Sequence, residues 1–150
     1  MKKKKEKTID YVLHLNSSQM RSLSVVCEFF TRFTCGQLST IPWYIIYPKP
    51  NDHFSEKRDL AEPLLKELKN IYFPELDWNA SYGVGHDDYS DIPWDIYQVI
   101  RNKIAWTENP NASCKGVNYY PPLKCSSQPL PTCEVYIDGT KTELPDGSYY

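Results

Sequence analysis

Apolar and polar residues alternate from Thr8 to Leu15. Ile9, Tyr11, Leu13 and Leu15 fall on one face, and Asp10, Val12 and His14 on the other, a two-residue period that predicts a strand. The period then changes. Asn16 with Gln19 three residues on is a capping box, and it opens a predicted helix over Ser17–Cys35. Its apolar stripe is Met20, Leu23, Val26, Cys27, Phe30 and Phe33, with Arg21, Glu28 and Arg32 off the stripe. Gly36 is either the stop of this helix or a close-packing point inside a longer one.

The segment Ile41–Tyr47 is aromatic and β-branched, and Pro42, Pro48 and Pro50 bracket it. It reads as an extended edge segment or loop. A second helix is predicted over Ser55–Ile71, capped by Ser55, with the stripe Leu60, Leu64, Leu65, Leu68 and Ile71. Pro63 must kink it or mark its true first turn, and Phe73-Pro74 ends it. Asp77–Ser90 reads as a loop. The third helix runs from Asp91, its cap, to Trp106, with Pro93 tolerated in the first turn. Short extended pieces follow at Gly116–Tyr120 and Glu134–Ile137, separated by prolines. From Asp138 the chain reads as a turn and a loose end. The expected fold class is α+β: three main helices on a small antiparallel sheet built from the N- and C-terminal strands. Residues 1–7 form a basic tail, 8–137 a single domain, and 138–150 a C-terminal tail.

The 150 residues suffice for one domain with a real core. A net charge of −2 argues against a duplex-binding protein. Neither a signal peptide nor a membrane-spanning run is visible, and the five cysteines are odd in number with no CxxC pair. The expected compartment is therefore the reducing cytoplasm, with no membrane partner. Aromatic residues make up 14%, among them twelve Tyr and four Trp, a composition suited to interfaces and ligand clefts.

Candidate chemistry is sparse. His14, His53 and His86 lie far apart, and Cys114, Cys125 and Cys133 match no zinc spacing, so neither metal nor cofactor is expected. No nucleophile elbow, phosphate loop or dinucleotide fingerprint occurs, which weighs against an enzyme. A hydrolase of a small nucleotide would have to use His86, Asp87 and Asp88 with a metal. Binding is favoured instead. Arg21, Arg32 and Arg101 lie on or near aromatic-rich helices, and a guanidinium both clasps phosphate and stacks on rings. Tyr97 and Arg101 share a helix face, with Trp94 one turn earlier. Asn79, Ser81 and Tyr82 offer polar groups beside Gly83, where backbone approaches closely. An ordinary core explains the rings equally well, with Arg101 as a surface or salt-bridged residue.

The run LHLNSSQMRSL from Leu13, leading to FTRFTCGQL from Phe30, resembles the N-terminal helix of a family of small phage and prophage proteins. PELDWNASYG from Pro74 and WDIYQVIRNKIAW from Trp94 resemble its second half, so the likeness spans roughly residues 8 to 137. The association is with phage-encoded sponge proteins of the anti-CBASS type. That resemblance implies an oligomer that sequesters a cyclic-nucleotide immune signal without catalysis. The positions it matches are Arg32, Gln37, Ser81, Tyr82 and Arg101. The loop Gly83–Asp88 and the three C-terminal cysteines depart from the pattern.

The expected function is thus a phage accessory protein of the host cytoplasm that sequesters a small nucleotide-type anion. Arg32 and Arg101 would neutralise phosphate; Tyr82, Trp94 and Tyr97 would stack; Gln37, Asn79 and Ser81 would read base edges. The rival is a protein-interaction module presenting Trp43 and Tyr44. Either reading favours a homo-oligomer, since a segment such as Ile41–Tyr47 needs a partner surface.

Overall fold

The computed structural model describes residues 11–46, 53–112 and 116–145. Its elements are α1 (Ser17–Thr34), a short α2 (Ile41–Ile46), α3 (Phe54–Tyr72), α4 (Asp88–Glu108), β1 (Val135–Ile137) and β2 (Thr140–Thr142), with 3-10 turns at Leu38–Thr40 and Val117–Tyr119. The class is α+β, and the sheet is a two-stranded antiparallel hairpin.

Both strands come from the C-terminal part of the chain, contrary to the expectation of an N-terminal partner. Residues 11–16 form no strand, with Tyr11, Val12 and Leu13 exposed, and residues 8–10 lie outside the described residues. The hairpin wins for a local reason. Asp138 and Gly139 both adopt positive φ, 48° and 76°, the conformation that a two-residue turn of matching twist requires. Such a turn closes β1 on β2 at far less entropic cost than pairing ends of the chain. The stretch predicted to be a loose end therefore contributes β2.

The capping box of α1 forms as the sequence predicts. Gln19 N–H donates to Asn16 Oδ1 at 3.0 Å, and Asn16 N–H donates to Gln19 Oε1 at 2.9 Å. At the other end, Gly36 N–H donates to Phe33 O and Gln37 N–H to Arg32 O, the paired bonds of a Schellman stop. Gly36 has φ 87°, and a Cβ there would meet Leu76 Cδ1 at 2.9 Å, so this glycine is both the stop and a packing point.

The buried face of α1 differs from the predicted stripe. Ser24, Cys27 and Thr31 are buried, whereas Val26 and Phe33 are exposed. These small side chains let α4 approach closely, and Thr31 Oγ1 donates across the contact to Ser90 O at 2.8 Å. Segment 41–46 is helical rather than extended. Pro42 falls in the first turn, where its missing N–H costs nothing, and packing overrides β propensity. Trp43 meets Phe54 at 4.6 Å between ring centroids, and Tyr44 meets Phe29 at 5.2 Å. Helix α3 begins at Phe54 after His53, so Ser55 is not its cap, and Pro63 lies in its interior rather than its first turn.

Helix α4 begins three residues earlier than predicted. Asp87, not Asp91, is its cap, accepting from Ser90 N–H at 3.0 Å. Asp91 is buried inside the helix and accepts from Gly85 N–H at 2.7 Å. Below it, α4 buries a polar face. Asp95, Gln98, Asn102 and Trp106 recur at spacings of three and four and bond the backbone of residues 118–126, which runs antiparallel to the helix. Trp106 Nε1 donates to Tyr119 O; Asn102 Nδ2 donates to Tyr120 O. The Gln98 amide donates to Leu123 O at 2.7 Å and accepts from Leu123 N–H at 3.1 Å. Asp95 accepts from Cys125 N–H at 2.8 Å, from Ser126 N–H at 3.1 Å and from Ser126 Oγ at 2.6 Å.

Asp95 is 2% exposed and faces no cation among the described residues, so these three donors carry its charge. Asp95→Ala leaves the Cys125 and Ser126 N–H groups without an acceptor, while the Ser126 hydroxyl keeps only a long bond to Gln128 O at 3.4 Å, and the change is expected to cost roughly 3 kcal/mol. Urea unfolding of the two proteins measures the difference.

Candidate functional site

Six of the eight candidate residues form one chain of contacts. Gln37 Nε2 donates to Ser81 Oγ at 3.2 Å, and Arg32 Nη1 donates to Gln37 Oε1 at 2.7 Å. The Arg32 guanidinium lies 5.7 Å from the centroid of Trp94, whose ring meets Tyr97 at 4.9 Å, and Arg101 lies 5.5 Å over Tyr97. The row runs from the loop after α3, across the end of α1, and down one face of α4. Tyr82 follows Ser81 but leaves the row: its ring stacks on His86 at 4.3 Å with the planes 8° apart. Asn79 is exposed in the turn held by Lys69, and among the described residues it has no hydrogen bond or ring contact to the others.

Glu28 decides what the two arginines do. Arg32 Nε and Nη2 both donate to Glu28 Oε1, at 3.0 and 2.9 Å. With Gln37 on Nη1, this guanidinium is engaged on each nitrogen. Burial opposes its charge, yet the bonds and charge of Glu28 more than offset that and raise its pKa. Arg32 thus joins the end of α1 to the 81-loop, and the expected phosphate contact is already occupied by a carboxylate.

Arg101 is different. Among the described residues, its Nε is the buried side-chain nitrogen or oxygen with no hydrogen bond. It lines a groove of about 400 Å³ between α1 and α4, together with Arg21, Glu28, Tyr97, Asn118 and Tyr119. Arg21 pairs with Glu108 at the rim, and Glu28 is held by Arg32. Those pairs cancel, so Arg101 is the unmatched charge of the groove. A second groove of about 360 Å³ adjoins it beside β1, lined by Leu15, Met20, Ile104, Val135 and Ile137.

The carboxylates of a hydrolase are otherwise engaged. Asp87 caps α4, and Asp88 accepts from Ser127 N–H at 2.6 Å and from the Ser127 hydroxyl. Among the described residues, no three His, Cys, Asp or Glu converge as a metal would need, and Cys114 lies outside them. Burial pushes the thiols of Cys27, Cys35, Cys125 and Cys133 up, the direction opposite to an activated nucleophile. No helix among the described residues is long and apolar enough to cross a membrane.

Three further side chains, none among the eight candidates, contribute to the site. Glu28 lies off the apolar stripe of α1, and its i,i+4 spacing to Arg32 is the signal in the sequence that marks it. Tyr44, expected beside Trp43 on a surface for a protein partner, is instead half-buried against Phe29 and next to Glu28 and Arg32, through a fold-back of α2 that no local pattern reveals. Lys69, 1% exposed, donates from Nζ to Trp78 O at 3.0 Å and Ala80 O at 2.6 Å, fixing the turn that precedes Ser81.

Burial first, and then the Glu28 charge, push the Tyr44 hydroxyl up to about 12 from its ordinary 10. A proton held more tightly in the folded state stabilises it fully below pH 10, and that contribution is lost as pH rises to about 12. Wild type is expected to lose stability more steeply across this window than Tyr44→Phe, as urea unfolding at stepped pH measures.

No family model matches the chain, and neither a curated protein nor a solved structure matches it.

Proposed function

We propose that this protein binds, without transforming, a small anion bearing a flat ring, in the groove between α1 and α4. The observation that carries this reading is the buried, unpartnered Nε of Arg101 at the wall of an open groove. A buried guanidinium nitrogen without a partner is costly unless something completes it. The Tyr97 ring beneath Arg101 and the Tyr119 ring across the groove offer faces for stacking. About 400 Å³ lies within the range of small-ligand sites.

Charge narrows the ligand class. Arg21 pairs with Glu108, and Glu28 is paired with Arg32 from behind the wall, so the set of groove charges together with Arg32 carries one excess positive charge, on Arg101. A single phosphodiester, as in a cyclic nucleotide, fits that better than a polyphosphate. Non-catalytic action is supported by the engaged aspartates and the raised thiols. The resemblance to phage sponge proteins supplies the biological role: sequestering a cyclic-nucleotide signal to inhibit host defence. Within this reading Arg101 and Tyr97 contact the ligand, while Arg32, Gln37, Ser81 and Trp94 hold the wall behind them.

Calorimetric titration with cyclic mononucleotides, cyclic dinucleotides and inorganic phosphate tests the assignment. Wild type is expected to bind a cyclic nucleotide, and Arg101→Ala to weaken binding by at least about tenfold through one lost charged hydrogen bond. Equal binding by the two proteins, or none by either, overturns it. The interaction-module reading also has an observation in its favour: Trp43 and Ile45 on α2 and the leucine face of α3 are exposed.

A further inference from the structure

Only part of the apolar stripe of α3 turns inward: Leu65 and Leu68 are half-buried, and the other three positions face outward. Leu60, Leu64 and Ile71 are 76%, 67% and 71% exposed, and the residue α3 buries is Lys69. These positions lie on one helix face, and the same face carries exposed Lys57 and Glu67. Read along the helix, the face is Lys57, Leu60, Leu64, Glu67, at spacings of three, four and three.

That order is its own complement. Turned end for end about residue 62, the helix sets Leu60 against Leu64 of a second copy, and Lys57 against Glu67. The two-fold axis repeats each pair. Charge pairing within the chain singles out the same two residues. Arg58 pairs with Asp59, Lys66 with Glu62 and His53 with Glu56, whereas Lys57 and Glu67 have no ion-pair partner among the described residues. Ile71 then reaches the N-terminal end of α3 in the second copy, where the Trp43–Phe54 ring pair sits. An exposed apolar row flanked by complementary charges is what an isologous helix pair needs.

We infer that α3 is a homodimer interface, packed antiparallel on α3 of a second copy across a two-fold axis at residue 62. None of its residues lines the α1–α4 groove, so the inference stands apart from the ligand reading.

Sedimentation equilibrium of the full chain tests it. The expected particle has twice the 17.5 kDa of one chain. Lys57→Glu sets like charges against each other at both ends and is expected to weaken association by about tenfold or more. Lys57→Glu combined with Glu67→Lys restores the pairing and the dimer. Leu64→Glu, at an exposed position that leaves the fold intact by circular dichroism, is expected to give a monomer. A 17.5 kDa particle at every concentration overturns the inference and leaves the face to a different protein. A dimer that survives Leu64→Glu, or a charge swap that fails to restore association, overturns it equally.

Discussion

The fold depends on one helix carrying a row of hydrogen-bonding side chains where an ordinary helix carries apolar ones. From Asp91 to Trp106, α4 buries polar groups at helical spacing and uses them to bond backbone that no strand or helix satisfies. Pro121 and Pro122 lack N–H groups and cannot join a regular ladder, so the chain from 118 to 126 cannot pair as a strand would. Side chains of α4 replace the missing partner strand. Each bond exchanges a water for a protein group and gains little alone, but leaving one unmade would strand a buried polar group. The arrangement therefore specifies where the C-terminal third must lie, and with it Asn118 and Tyr119 at the edge of the groove.

Local signals were legible in the sequence and long-range ones were not. Asn16 and Gln19 announced the start of α1, Gly36 its end, and Phe73-Pro74 the end of α3, because each acts on backbone within a turn of itself. The start of α4 differs from the sequence pattern for a physical reason: an aspartate before an apolar run reads as a cap, which points to Asp91. In the structure Asp87 does the capping, and Asp91 is the first rung of the buried row. Burial of Asp95, Gln98 and Asn102 could have been read from their spacing, but their partners could not, because those partners are backbone atoms. The strand expected at the N-terminus shows the converse: alternation alone does not make a strand when no edge is offered to it.

The candidate site was legible in part for the same reason. Trp94, Tyr97 and Arg101 were placed together from helix periodicity, and they do meet. Arg32 and Gln37 meet them through a tertiary contact. Glu28 then divides the two arginines into a structural one, bonded on every nitrogen, and one that retains a free buried donor. A sequence shows two equivalent arginines; only the placement of a single carboxylate distinguishes them. The leucine row of α3 illustrates a related limit, since periodicity marks an apolar face without saying whether the chain's own core covers it.

Amide hydrogen exchange, followed residue by residue, tests most directly whether α4 side chains hold the 118–126 backbone. Leu123 and Cys125 lie outside any helix or strand, yet their N–H groups are bonded to Gln98 and Asp95. Both amides are predicted to be protected in the wild type. In Gln98→Leu, protection is predicted to fall at Leu123 and to persist at Cys125. Exchange at these amides as fast as in unstructured chain, or unchanged protection of Leu123 in Gln98→Leu, would contradict the account.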